Sequence, residues 1–275
     1  MFISLMACVP AIGLVAAFSP PAGASTAAVP SARAIAIAKA YIKHLEIGQH
    51  GTDHQAAGHS ALKGLTQVQS SNWSGYADTG SGFSTVTAKW TEPTGSCTSA
   101  TSLAAFWVGI DGYSSDSVEQ DGTLIECSGG SAFYFTWWEM YPTNDIQVVG
   151  ETLRPGDSIS ASVTRSGTSY TLKVTDSSRS GDNVSTTQRC SSCANSSAEW
   201  IAEAPSGSSG VEPLTDYHTW SPNSATVATT SKSGVISSFT DDEITMVDSS
   251  SNVESQPGAL NGSGNGFTTT WERST

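Results

Sequence analysis

Positive charge is scarce in this chain. Its 12 Lys and Arg face 25 Asp and Glu, 13% of residues are charged, and the formal net charge is −13. Nucleic acid is excluded as a partner, because phosphate binding needs a basic face. A surface crowded with carboxylates repels itself when ionised and relaxes when protonated, so it suits an acidic medium. Histidine is sparse where catalysis would need it. His44, His50, His54 and His59 cluster near the start, and His218 is the only one that follows. A serine triad in the rest of the chain would have to use His218. After residue 69 there is no helix-period pattern of useful length, and the chain carries no cofactor motif. Cys190-Ser191-Ser192-Cys193 has no second C-x-x-C to complete a four-thiolate zinc site of the usual spacing.

What is there divides into three segments. Residues 1–24 read as a secretory signal: the stretch from Phe2 to Phe18 is mostly apolar, and Ala22-Gly23-Ala24 is an A-x-A cleavage site. The usual basic n-region is missing, since no Lys or Arg precedes Arg33. Pro10 and Pro20-Pro21 break the apolar run too early for the alternative, a membrane-spanning helix. The expected product is a secreted, extracellular monomer with no stable membrane association. Residues 25–69 read as a propeptide rather than a bare linker. Ser31 can cap an Ala-rich helix over 32–43. The segment carries Arg33, Lys39, Lys43 and Lys63 against Glu46 and Asp53, and four histidines, ahead of an acidic body. Such a leader is expected to act as an inhibitor, masking an acidic groove through Lys39, Lys43 and Lys63 and loosening as carboxylates protonate and histidines charge. A cut near Gln69-Ser70 would free residues 70–275 as the working domain.

In that domain the pattern changes to short alternating runs at 83–91, 103–110, 133–141, 158–164, 169–175, 198–202, 225–229 and 244–247, broken by Gly, Ser, Asn and Asp. Arg165-Ser166-Gly167-Thr168 reads as a hairpin turn and Arg154-Pro155-Gly156-Asp157 as a turn. Many short strands at this spacing predict an all-β sandwich. Cys8 leaves with the signal, so four cysteines remain to be oxidised. Of three possible pairings, Cys97–Cys127 with a short Cys190–Cys193 loop is the one expected; a zinc site is the rival.

Strand alternation sorts the chemistry by face. Trp107, Gly109 and Asp111 share one face of their run, Trp137, Glu139 and Tyr141 another, and Glu199, Ile201 and Glu203 a third. A face that mixes aromatic rings with acids has the composition of a substrate groove; a solvent-exposed face with scattered rings is the plainer alternative. A carboxylate, Glu203, and a carboxamide, Gln120, on two separate strands could make a water-activating pair.

Four motifs occur in order: Ser71-Asn72-Trp73-Ser74-Gly75, Phe106-Trp107-Val108-Gly109-Ile110-Asp111, Val118-Glu119-Gln120-Asp121-Gly122 and Ala198-Glu199-Trp200-Ile201-Ala202-Glu203. As an ordered set they resemble those of the glutamic peptidases (eqolisins), acid-acting secreted endopeptidases, over roughly the 200 residues from Ser71 onward. The resemblance implies two antiparallel sheets in a concanavalin A-like jelly roll, Glu203 and Gln120 as catalytic dyad, and Trp73, Trp107, Asp111, Trp137, Glu139 and Tyr141 as groove residues. It implies no metal or cofactor, and protein or peptide substrates. Asp121 departs from the family pattern, which often has a small or hydrophobic residue beside the glutamine. In this chemistry Glu203 takes a proton from the attacking water and returns it to the leaving amine. Gln120 orients the water and donates its N–H to the developing oxyanion.

Three rival readings remain. Asp78-Thr79-Gly80 spells the aspartic-protease signature but occurs once and reads as a β-turn. Ser166-Gly167-Thr168-Ser169 resembles a subtilisin-like nucleophile motif but falls in the expected hairpin. A lectin-like carbohydrate-binding jelly roll, or a glycosidase using Glu139 and Glu203, is the alternative from a different class.

Overall fold

The computed structural model describes residues 31–47 and 66–274. The signal segment with its Ala22-Gly23-Ala24 site, and Lys63, His50, His54 and His59 of the leader, lie outside the described residues.

Two sheets form a sandwich, one of eleven strands and one of six. The small sheet shows the clean alternation of a half-buried layer. In the Ser158–Ser166 strand, Ile159, Ala161 and Val163 point inward; in its partner Ser169–Asp176, Tyr170, Leu172 and Val174 do the same. The two meet in the expected hairpin, where Gly167 takes φ +61°, a conformation that suits a residue without Cβ. The predicted turn at 154–157 closes with an Asp157 N–H to Arg154 carbonyl bond of 3.1 Å.

The large sheet is different. Its central strands, Ser197–Glu203, Ser102–Asp111 and Val118–Ser128, are buried along nearly their whole length on both faces. One face packs on the small sheet through Tyr76, Phe106, Val108, Trp200 and Trp220. The other carries a second apolar cluster of Trp73, Leu103, Trp107, Leu124, Phe135, Trp137 and Ile201, and the leader covers it. One pairing departs from the antiparallel rule: residues 66–70 run parallel to 242–246 as an extra strand. The boundary expected at Gln69-Ser70 therefore falls inside a paired strand, whose Ser70 hydroxyl accepts the backbone N–H groups of Asn72 and Trp73.

The leader helix runs Ala32–Ile42, capped by the Ser31 hydroxyl, which accepts the Ala34 N–H at 3.2 Å. Ala38 and Ile42, four residues apart, form its buried stripe, while Ile37 stays exposed. Both expected disulfides form, Cys97–Cys127 and Cys190–Cys193, with Cα–Cα separations of 5.2 and 5.7 Å. The sulfurs that the rival zinc site needed are thereby joined in pairs.

Candidate active site

The Glu203 strand lies between the Trp73–Thr79 and Ser102–Asp111 strands, and the latter is followed by the strands of Gln120 and Glu139. Register sets the neighbours: Glu203 stands opposite Trp73, Ile201 opposite Trp107, and Gln120 opposite Glu139. All these side chains are buried beneath the leader.

Glu203 is held by two donors. The Trp107 indole N–H reaches one carboxylate oxygen at 2.8 Å and the Asn72 amide reaches the other at 3.3 Å. A carboxylate accepts only, so this donor set matches its ionised form. Trp107 can reach across because its neighbour is glycine. A Cβ on Gly109 would stand 2.8 Å from the indole ring and 3.3 Å from the Gln120 Cβ, so any larger residue would displace the ring. Trp73 meets Trp107 edge-to-face, with centroids 4.8 Å apart, and packs against the indole.

The Gln120 amide donates twice, to Glu139 Oε2 at 2.8 Å and to the backbone carbonyl of Ile47 at 2.6 Å. Burial pushes the Glu139 carboxyl well above the usual range; the Gln120 bond works against this, and the charges of Glu203, Asp145 and Glu46 add to the rise. Glu139 thus joins the two halves of the site, bonded to the carboxamide and electrostatically coupled to the carboxylate.

Trp73, Trp107, Trp137 and Glu139 all belong to this buried assembly. Tyr141 sits half-buried further along the same face as Glu139, at the strand end before the cis peptide to Pro142. Asp111 has another task. It takes φ +70°, and its carboxylate accepts the Asn195 N–H at 2.7 Å, the Ser196 N–H at 2.8 Å and the Ser196 hydroxyl at 3.1 Å. Simple alternation had put it beside Trp107 on the groove face. The left-handed backbone breaks that alternation, and the side chain braces the start of the Glu203 strand.

Two residues in contact with this pair escaped sequence reasoning. Asn72 lay within a quoted motif, but its contact with Glu203 spans 131 positions and no local pattern announces it. Ile47 gave no signal at all. Residues 45–47 run extended, with Leu45 and Ile47 buried, Glu46 exposed, and Glu46 exchanging both backbone hydrogen bonds with Ser206. The leader thus fills the groove over the dyad. Open space lies instead beside the helix, in a cavity of about 420 Å³ lined by Ile35, Phe133, Tyr134, Phe135, Glu151 and Arg154.

The described part of the leader grips by less charge than expected, and Lys63 lies outside it. Among the described residues its one ion pair to the body is Lys39–Glu151 at 3.5 Å, both partners part-exposed, while Lys43 is exposed. Such a pair contributes about 0–1 kcal/mol. Burying Ile42, Leu45 and Ile47 contributes about 1.5–3 kcal/mol each. Among the described residues, apolar burial and the Glu46–Ser206 bridge outweigh charge.

The rival motifs dissolve in the fold. Asp78 and Thr79 are strand residues, not turn residues, and the bend begins only at Gly80. Asp78 is fully buried, and burial pushes its carboxyl up to about 9, aided by the charge of Asp241 and opposed by that of Lys232. Ser166 and Ser169 pair across their hairpin. His218 is exposed, far in sequence from that turn, and meets Ser96 at 2.9 Å and Asp216 at 3.3 Å.

Residues 71–263 match the sequence model described as the Peptidase A4 family. Aspergillopepsin-2 of Aspergillus niger is 28% identical over 166 residues, 52% of this chain and 59% of that protein. Scytalidopepsin B of Scytalidium lignicola is 34% identical over 140 residues, 48% of this chain and 51% of that protein. The match thus spans little more than half the length of these curated relatives. Among solved structures, scytalido-glutamic peptidase with a transition state analog inhibitor superposes with a TM-score of 0.63 at 25% identity, covering 74% of this chain and 98% of that one. Aspergilloglutamic peptidase from Aspergillus niger gives 0.54 at 24% identity, with 62% and 99% covered, a likeness of fold.

Proposed function

The chain belongs to the peptidase A4 family, and from that premise we propose that it is a secreted endopeptidase, active in acid, that hydrolyses peptide bonds with Glu203 and Gln120. The observation that carries this reading is the Gln120 amide bonded at 2.6 Å to a backbone carbonyl in a groove that also holds Glu203. A peptide carbonyl on a buried carboxamide is what an oxyanion donor would meet at the start of the reaction.

Glu203 is the general base. It removes a proton from water as the oxygen attacks the carbonyl carbon, then passes that proton to the departing amine. Gln120 stabilises the oxyanion through its N–H. Its Oε1 makes no hydrogen bond among the described residues and is the acceptor left for the attacking water. Trp107 and Asn72 position the base, and Glu139, held neutral by burial, fixes the Gln120 amide. A carboxamide suits acid because it does not titrate.

The leader segment 31–47 is the inhibitor of this site. Its helix covers the apolar face, and its extended end occupies the groove over Gln120. Substrates are proteins or peptides that bind extended, pairing with Ser206 as Glu46 does.

The test is cleavage of denatured casein across pH 2 to 7 by wild type, Glu203→Gln and Gln120→Ala, each checked for folding. Acid-only cleavage lost in the first variant and strongly reduced in the second supports the dyad. No cleavage at any pH by folded wild type freed of its leader would refute the peptidase reading and favour a glycan-binding sandwich.

A further inference from the structure

Residues 45–47 are not merely a plug. They centre on an isolated antiparallel bridge at Glu46, and their side chains alternate in, out, in: Leu45 and Ile47 are buried with the groove tryptophans, and Glu46 faces solvent. Both backbone groups of Glu46 are spent on Ser206, at 2.8 and 2.9 Å, which fixes the register of the segment. That register delivers one particular carbonyl, that of Ile47, to the Gln120 amide. A two-residue slip would bring the carbonyl of Leu45 there, and a one-residue slip would turn Glu46 into the apolar pocket, at the cost of burying a charge.

We infer that Ile47 occupies the position of the residue whose carbonyl is attacked, so that the leader is read as a substrate and cut at the Ile47–Gly48 bond. The groove is thereby specific for an aliphatic residue at that position and at the one two residues before it. The residue between them points outward and is unrestricted. This rests on the peptidase reading above. In the step itself, water adds to the Ile47 carbonyl carbon with one proton going to Glu203. The C–N bond then breaks, and that proton passes to the nitrogen, leaving an Ile47 carboxyl and a free amine.

The geometry that motivates this is independent of the composition shift near Gln69-Ser70. That boundary lies in a strand paired with residues 242–246, and its neighbouring Ser70 hydroxyl caps two backbone N–H groups. A cut there would have to open the sheet edge first, whereas the Ile47 carbonyl already rests on Gln120.

The experiment holds the full chain at pH 3.5 with added casein and identifies leader fragments by mass spectrometry over time. The earliest leader product should end at Ile47, and it should be absent from Glu203→Gln. In parallel, a synthetic peptide of residues 42–52 is compared with its Ile47→Asp form as substrate, which avoids any folding defect. The substituted peptide should be cut at that bond about 10-fold more slowly or worse, because the pocket is apolar. Casein cleavage with no product ending at Ile47, or equal cutting of the two peptides, overturns the register and leaves the peptidase reading standing. Cleavage of neither casein nor leader by folded wild type removes both.

Discussion

The groove and the interior of the sandwich both bury carboxyl groups against the same sheet, but Glu203 in the groove is met by donors that the interior acids lack. In the groove each oxygen of Glu203 meets an N–H donor, and Gln120 reaches Glu139 directly. On the opposite face of that sheet, the oxygens of Asp78, Glu119 and Asp121 make no well-aligned hydrogen bond among the described residues. Burial pushes Glu119 up to about 9, with the neighbouring Asp111 adding to the rise, and Asp121 well above the usual range. The donors around Glu203 suit an ionised carboxylate. The interior disfavours the charged form. Low pH therefore favours the protonated form of the interior acids.

The comparison breaks most visibly at Glu203. Glu203→Gln keeps the shape and a hydrogen-bonding side chain but removes the base, so casein hydrolysis should fall by about 10²–10⁴-fold with the thermal midpoint little changed. An unaltered rate would show that the donor-rich pocket holds no catalytic carboxylate. Gln120→Ala comes next. It removes one oxyanion donor and should cost about 10²–10³ in kcat.

The interior responds to pH rather than to substrate. Its carboxyls have folded pKa values raised above the ordinary carboxylate range, to about 8 for Glu92 and about 9 for Asp78 and Glu119. The folded state then binds more protons than the unfolded one, so stability is full below about pH 4 and is lost as pH rises towards 8–9. Each unit of raised pKa corresponds to about 1.4 kcal/mol per group. Urea midpoints measured from pH 3 to 8 should fall steadily, and Asp78→Asn should flatten part of the slope. A midpoint that rises with pH would contradict the neutral interior.

The smallest effect lies in the leader. Lys39→Ala removes an exposed pair and should weaken inhibition by the leader by no more than about 1 kcal/mol. Ile42→Ser, which loses apolar burial, should weaken it more. Inhibition constants for leader peptides carrying each change decide between them. A larger loss from Lys39→Ala would restore the charge-led account.

Much of the fold was legible because the small sheet obeys simple alternation. The 83–91 run coincides with the Phe83–Thr91 strand, and the 158–164 and 169–175 runs extend by only one or two residues. Legibility fails where strands are short or irregular and where pairing is long-range. The 66–70 strand, the Asn144–Gly150 strand and the closing strands at Val253–Pro257 and Thr269–Trp271 carry too little periodicity to stand out. Asp111 was misplaced because alternation assumes extended backbone, and its φ of +70° does not comply.

By itself the sequence determined the β class, the capped leader helix, the cysteines available for pairing and the four ordered motifs with Glu203 and Gln120 among them, since these depend on residue type and short spacing. Only the tertiary structure decided that Asn72 and Trp107 converge on Glu203, that burial raises the interior acids' pKa values, and that the Ile47 carbonyl lands on Gln120. Those are facts of register and burial. Register is set by hydrogen bonds between strands distant in the chain, and burial by layers that the local sequence cannot see.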